Sequence, residues 1–298
     1  MDGEKQNKAG DSNEITRAYL DSLLIEMRHI GGVVPSTRME LYGHSFSTPV
    51  MTAALSHLNK CHPDGLAELA RGAEAAGAVM WCGMGDEAEL EAITETGAKT
   101  IKIIKPYADN DLIFRKIEHA IACGVIALGM DLDHSFNGRG EYDNVLGFAM
   151  HPKTLRELQS FVAAAKVPFI VKGVLSERDA YLCAEAGVEG MVVSHHHGVI
   201  RYAVPPLMVL PKIVKAVEGR IPVFVDCGIS SGSDAFKALA LGATAVSVGS
   251  ALMEPLAKEG ASGAQRFLET MTAELAGIMA RTCSPDPRQI DPSVIWRP

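Results

Sequence analysis

The sequence predicts a single-domain α/β fold, a (β/α)8 barrel of the TIM type, on three observations. A helical stretch rich in Ala and Glu that ends in Gly, then a short apolar run, recurs along the chain. The apolar runs are continuous rather than alternating, which is what parallel strands buried on both faces require. Polar and charged residues fall at the C-terminal ends of separate runs, the ends that converge on one mouth when such a sheet closes. An open doubly wound sheet would also follow from alternating strands and helices. No G-x-G-x-x-G follows an early strand, however, and eight runs favour closure.

Taken in order, residues 1–12 are polar and mixed in charge and read as a disordered lead before a domain spanning 13–298. Ile15 to Met27 carries apolar residues three and four apart and reads as a helix. Met39 to Leu41 and the segment before Pro49 read as a short hairpin, and Val50 to Ala53 as the first strand. The repeating pattern follows. Gly77, Gly97, Gly124, Gly187 and Gly242 each close a helical stretch as expected of a C-cap. The strands after them lie at Val79–Met80, Ile101–Ile104, Ile126–Leu128, Met191–Val193 and Ala245–Val248. Phe169–Lys172 and Val223–Asp226 complete the set after helices that end less regularly.

Composition bounds the function. The 298 residues are 47% hydrophobic and 21% charged, enough apolar material for one large core. A net charge of -8 argues against a nucleic-acid binder, which needs a basic face, but not against a small anionic ligand held by a few local cations. The six cysteines are scattered without CxxC spacing, which suits a reducing compartment. No apolar signal core or bilayer-length segment is present, so a soluble cytoplasmic protein without membrane partners is expected.

Lys102, Asp131, Asp133, Lys172, Ser194, His196, Asp226 and Ser250 sit within or just after separate strands. Asp and Ser there are also ordinary helix caps. A cap does not account for Lys172, whose ammonium ends the apolar run Phe-Ile-Val-Lys-Gly and needs an anionic or electron-rich partner. The strand Gly190–Val193 leads into Ser194, His195, His196, His197, Gly198 and, three residues on, Arg201. An exposed loop is the plain account of such a triplet, a reactive site the sharper one. Trp81 and Trp296 read as packing residues, and Cys227 as a small residue beside Asp226 rather than a nucleophile.

The run Val171-Lys-Gly-Val-Leu-Ser-Glu-Arg-Asp-Ala, the run Ala-Glu-Ala-Gly to His197-Gly, and Pro222-Val-Phe-Val-Asp-Cys-Gly-Ile together resemble the FMN-dependent α-hydroxy acid oxidase/dehydrogenase family. Asp234-Ala-Phe-Lys-Ala-Leu-Ala-Leu-Gly-Ala and Val248-Gly-Ser extend the likeness, which is specific over residues 165–255 and weaker elsewhere. It implies a (β/α)8 barrel that binds FMN and oxidises the CH-OH group of a 2-hydroxy acid or related hydroxy compound by hydride transfer. It implies Lys172 beside the flavin N1 and C2 carbonyl, His196 as the base and Asp133 as the carboxylate that orients it. Arg201 and Arg139 would hold the substrate carboxylate, Asp226 the ribityl chain, and Gly228, Gly249 and Ser250 the phosphate. Ala53, Lys102, Asp131, Ser194 and Ser231 would complete the cofactor contacts. A homo-oligomer, often a tetramer in this family, is implied as well.

The chain also departs from that family. The motif around the base is Ser-Asn-His-Gly-Gly-Arg in the family and Ser194-His-His-His-Gly-Val-Ile-Arg here. Lys102 and Ile104 stand where the family has Gln and a substrate Tyr, and no Tyr occurs in residues 1–8, where a second would fall. Asp131 replaces a Thr, and the arginines of the phosphate site are replaced by Ser230-Ser231 and Ser250. The loop after the fourth strand is cut to about Ser135 to Met150. Two alternatives therefore stand beside the oxidoreductase. One is a metal-dependent lyase or hydrolase using His195, His197, Asp131, Asp133 and Asp226, although adjacent histidines in an extended segment point to opposite faces. The other is a ligand-binding barrel without catalysis.

Overall fold

The computed structural model describes residues 9–297. Eight parallel strands form one sheet: β1 (Val50–Thr52), β2 (Met80–Cys82), β3 (Thr100–Ile104), β4 (Ala127–Asp131), β5 (Phe169–Val174), β6 (Gly190–Val193), β7 (Val223–Val225) and β8 (Ala245–Val248). From β2 to β8 each strand pairs with the next, and β8 pairs with β1. Between β1 and β2 the ring is completed by Thr52 N–H donating to Val79 O at 3.2 Å and by a bridge of Leu55 to Cys82. The open doubly wound alternative is thereby set aside.

The helices between the strands are α2 (Gly65–Ala75), α3 (Glu87–Thr94), α4 (Asn110–Ala122), α5 (Leu155–Ala165), α6 (Glu177–Glu185), α7 (Pro206–Val217), α8 (Gly232–Ala240) and α9 (Ser250–Arg281). Most start on a side-chain cap, as Thr154 does in a full capping box with Glu157. The continuous apolar runs are explained by two separate cores. Val50, Met80, Leu128, Val171, Val193 and Val246 face outward against the helices, whereas Met51, Trp81, Ile101, Ile103, Ile170, Val192 and Phe224 fill the barrel. Trp81 is 1% exposed and meets the Phe224 ring edge-on at 5.4 Å, the packing role expected of it.

The expected hairpin, Met39–Leu41 with His44–Phe46, turns through Tyr42 (φ 49°) and Gly43 (φ 79°). Met39, Leu41 and Phe46 join the interior core, so this hairpin closes the end of the barrel opposite the strand C-termini. No helix of the described residues is long and apolar enough to cross a membrane.

Two boundaries differ from expectation. Residues 1–8 of the expected disordered lead lie outside the described residues, but Asp11 caps and Ser12 begins helix α1 (Ser12–Ser22). That helix also ends before Met27. Leu23 is buried in extended backbone, and Leu24 and Ile25 pair antiparallel with Trp296 and Ile295. The chain trades a last helical turn for a two-strand ribbon that ties its two ends together. Trp296 is accordingly 61% exposed rather than packed in a core, with its indole N–H donated to Glu26.

Candidate active site

Lys172 enters the mouth because β5 bulges. Its register slips between Lys172 and Val174, and Gly173 at φ 96° takes the strain. A Cβ on Gly173 would lie 2.3 Å from Cγ of Asp133, so only glycine lets that carboxylate close over the strand. The Lys172 ammonium is buried 3.3 Å from Asp131 Oδ1 and 3.6 Å from Asp226 Oδ2. Burial opposes its charge, yet Asp131, Asp226 and Asp133 outweigh burial and hold its pKa above the usual lysine range.

The histidine triplet is not the extended segment the metal argument assumed. His196 (φ 48°), His197 (φ 57°) and Gly198 (φ 82°) form a left-handed turn closed by Gly198 N–H to His195 O at 3.0 Å. The turn gives each imidazole a separate surrounding. Nδ1 of His196 is 2.8 Å from Oδ1 of Asp133, and its backbone N–H donates to Ser194 Oγ at 2.9 Å. Carrying its proton on Nδ1 for Asp133, His196 leaves Nε2 as the nitrogen available to take another. The His134 ring stands edge-on to it at 4.3 Å.

His195 is 2% exposed and points the other way. Gly198 N–H donates to its Nδ1 at 3.0 Å, which places the ring proton on Nε2, where it donates to Thr16 Oγ1 at 2.7 Å. Burial lowers its pKa, as befits a neutral ring. His195 is thus a clasp for α1 rather than a metal ligand. His197 is exposed at the rim. The expected metal set of His195, His197, Asp131, Asp133 and Asp226 is therefore not brought together. Asp131, Asp133 and His196 do offer three atoms within reach of one ion, but the Lys172 ammonium lies 3.3 Å from both Asp131 Oδ1 and His196 Nδ1 and fills that role.

A cavity of about 540 Å³, within the range of small-molecule sites, opens at this mouth. Ala53, Lys172, His196, Asp226, Gly228, Gly249 and Ser250 line it, as do His197, Cys227, Ser230 and Ser247. Ser247 Oγ is buried there without a hydrogen-bond partner. Cys227, in left-handed backbone at φ 64°, donates its thiol to Asp226 Oδ1 at 3.0 Å. Burial and then the Asp226 charge push that thiol up to about 12, far from a nucleophile.

Other expected contacts lie elsewhere. Lys102 donates its ammonium to Gly83 O at 2.5 Å, away from the cavity lining. Ser231 is the N-cap of α8 and accepts from Asp234 N–H at 3.1 Å. Arg201 is exposed and donates to Ala9 O, and Arg139 is exposed on the turn of the β4 loop. Neither arginine lines the cavity.

Three side chains at the mouth were not anticipated from the sequence. Lys105 Nζ lies 2.7 Å from Asp131 Oδ2, both buried. Its signal was available, since it follows the apolar run Thr100–Ile104 as Lys172 follows its own. Asn13 and Arg17 line the cavity from α1. Nothing in a surface-helix pattern announces that such a helix crosses a barrel mouth.

With this geometry in place, comparison with known proteins is informative. A family model described as FMN-dependent dehydrogenase matches residues 4–164 and 151–297. The chain is 31% identical over 277 residues to glycolate oxidase of Spinacia oleracea, covering 80% of this chain and 75% of the other. It is 31% identical over 278 residues to L-lactate oxidase of a Roseobacter species, with 82% and 75% covered. A solved structure of mandelate oxidase with 3,3-difluoro-2-hydroxy-3-phenylpropionic acid superposes at a TM-score of 0.87 and 27% identity, over 95% of this chain and 89% of that one.

Proposed function

The chain belongs to the FMN-dependent dehydrogenase family, and from that membership we propose that it oxidises a 2-hydroxy acid at the CH-OH carbon. Its relatives support this substrate class: they are named glycolate oxidase and L-lactate oxidase. FMN is its cofactor, and the residues present suit that group. A buried cation, Lys172, stands at one side of the cavity, a partnerless Ser247 hydroxyl lines it, and α9 begins at the wall without a side-chain cap on its N–H groups.

The observation that carries the mechanism is the Asp133–His196–Lys172 arrangement, at 2.8 Å and 3.3 Å around one imidazole Nδ1. His196 Nε2 takes the hydroxyl proton, Asp133 stabilises the imidazolium so formed, and the Lys172 ammonium neutralises negative charge that accumulates nearby. Bound FMN supplies the acceptor for the hydride, and its two electrons, that leave the substrate carbon. The product is the 2-oxo acid. Both family substrate tyrosines are missing, so the acid that fits best differs from those of the tyrosine-bearing relatives.

A cytoplasmic setting and assembly into a homo-oligomer are part of the same proposal. All six cysteines are unpaired, and Ile30, Val33 and Val34 expose apolar side chains that a second copy would cover. Light scattering tests the assembly. The activity is tested by purifying the protein and adding glycolate, lactate or mandelate without oxygen. Flavin absorbance that bleaches with one of them supports the reading; a protein that stays colourless after FMN is added overturns it.

A further inference from the structure

The phosphate end of the cavity presents a chemical problem that α1 solves. Gly228, Ser230, Gly249 and Ser250 line that end with backbone and hydroxyl groups, and the barrel loops supply no lysine or arginine there. The opposite wall is α1, which carries Arg17 into the lining. Arg17 Nη1 donates to Gly228 O at 3.1 Å and to Asp234 Oδ2 at 3.0 Å, and Ser230 N–H donates to the same Asp234 oxygen at 3.1 Å. Guanidinium, Asp234 and the Gly228–Ser230 loop therefore form one connected group.

We propose that Arg17, delivered by the N-terminal helix, is the cation that receives the phosphate of FMN in place of arginines on the barrel loops. This rests on FMN as the cofactor. All five guanidinium N–H groups have partners in the structure, so the phosphate must displace one. Asp21 is that partner. Its carboxylate is 66% exposed and takes the Nε and Nη2 bonds, at 3.0 and 2.7 Å, as a solvent-screened i,i+4 pair. The Asp234 pair, 3% exposed on the carboxylate side, keeps the guanidinium in place during the exchange. The helix itself is fixed across the mouth by His195 Nε2–H to Thr16 Oγ1 at 2.7 Å, Ser12 Oγ to Ile200 O at 2.6 Å and Tyr202 N–H to Gly10 O at 2.9 Å. A Cβ on Gly228 would meet Leu20 and Thr16 at 2.9 and 3.1 Å, which shows how closely α1 lies against that loop.

The test is the preference for FMN over riboflavin, which lacks only the phosphate, read by flavin fluorescence quenching on the apoprotein. Arg17→Gln is expected to weaken FMN binding about tenfold or more while riboflavin changes less than about twofold. Asp21→Ala is expected to tighten FMN a few fold, again leaving riboflavin alone, because the competing carboxylate is gone. An unchanged FMN-to-riboflavin ratio in both variants overturns the proposal. So does an equal loss of both ligands together with lowered thermal stability in Arg17→Gln, which would make Arg17 a brace for α1. If that variant does not fold, Asp21→Ala decides by itself. Wild-type protein that binds neither flavin removes the cofactor reading and this inference together, whereas FMN binding with an unchanged ratio removes this one alone.

Discussion

Lys105 Nζ and Asp131 Oδ2 meet at 2.7 Å with both side chains under a tenth exposed. The family it resembles carries a neutral threonine where Asp131 stands, so the carboxylate is a departure from that pattern, and Lys105 is its nearest counterion. The other oxygen, Oδ1, is buried without a hydrogen-bond partner, 3.3 Å from Lys172 Nζ. Burial alone would raise the Asp131 pKa, but Lys172, Lys105 and His196 outweigh it and hold the group ionised well below the usual carboxylate range. The pair adds no net charge to the mouth, yet it sets a second anion beside Asp226 against the buried Lys172 ammonium.

Removing one partner of that pair should cost far more than removing both. Lys105→Met leaves the Asp131 carboxylate without its shortest ion pair, with Lys172 at 3.3 Å and His196 at 3.7 Å remaining, and is expected to destabilise the fold by about 3–5 kcal/mol. Adding Asp131→Thr to it should recover most of that loss. Urea denaturation of the two single variants and the double variant measures the coupling. Additive losses would mean that the two charges do not answer each other.

The contrast between Lys172 and Lys105 explains what the sequence shows and what it hides. The strands were legible because apolar runs and C-capping glycines mark them locally: Ile101–Ile104 lies within Thr100–Ile104 and Met191–Val193 within Gly190–Val193. The mouth residues at strand ends, Lys172, His196 and Asp226, were legible for the same reason, since a barrel gathers those ends. Arg17, Thr16 and Asn13 were hidden because their place depends on where α1 docks, a long-range packing event without a local pattern. Arg201 answers the family arginine only approximately, standing five residues after His196 where the family motif has three, and the turn through His196–Gly198 places its guanidinium at Ala9 O.

His195 ties stability to pH. Its buried ring titrates below its unfolded value near 6.5. As pH falls through that value the unfolded chain gains a proton that the folded protein refuses, so stability declines until the lowered folded pKa is passed. His134, also lowered by burial and then by Lys105, contributes in the same sense. Thermal unfolding between about pH 7.5 and 5 should show this decline, by up to about 1.4 kcal/mol per pH unit for each ring. His195→Gln should flatten it; an undiminished slope in that variant would show that His195 is already charged in the fold.

Proton transfer and cofactor binding should separate by mutation. His196→Ala keeps the cavity wall formed by Gly228 and Gly249, so flavin should stay bound while its reduction by a 2-hydroxy acid slows about 10²–10⁴-fold. Asp133→Asn should slow it on the order of 10²-fold, because the Nδ1 partner at 2.8 Å loses its charge. Lys172→Met should impair both reduction and binding. Anaerobic stopped-flow absorbance, with FMN occupancy measured on the same samples, distinguishes these outcomes; unchanged reduction by His196→Ala would remove it as the base.

Arg201 provides the sharpest division between family pattern and structure. A guanidinium that clamps the substrate carboxylate would make two charge-assisted bonds, and its loss would raise KM about a hundredfold or more. In this structure the group is exposed, outside the cavity lining, and bonded to Ala9 O next to the Asp11 cap of α1. Arg201→Ala should therefore change KM by less than about threefold while making the segment before α1 more susceptible to limited proteolysis. Steady-state kinetics with the preferred hydroxy acid, alongside a protease time course, checks both halves. A hundredfold rise in KM with unaltered proteolysis would mean that substrate draws the loop inward and that Arg201 exchanges Ala9 for the carboxylate on binding.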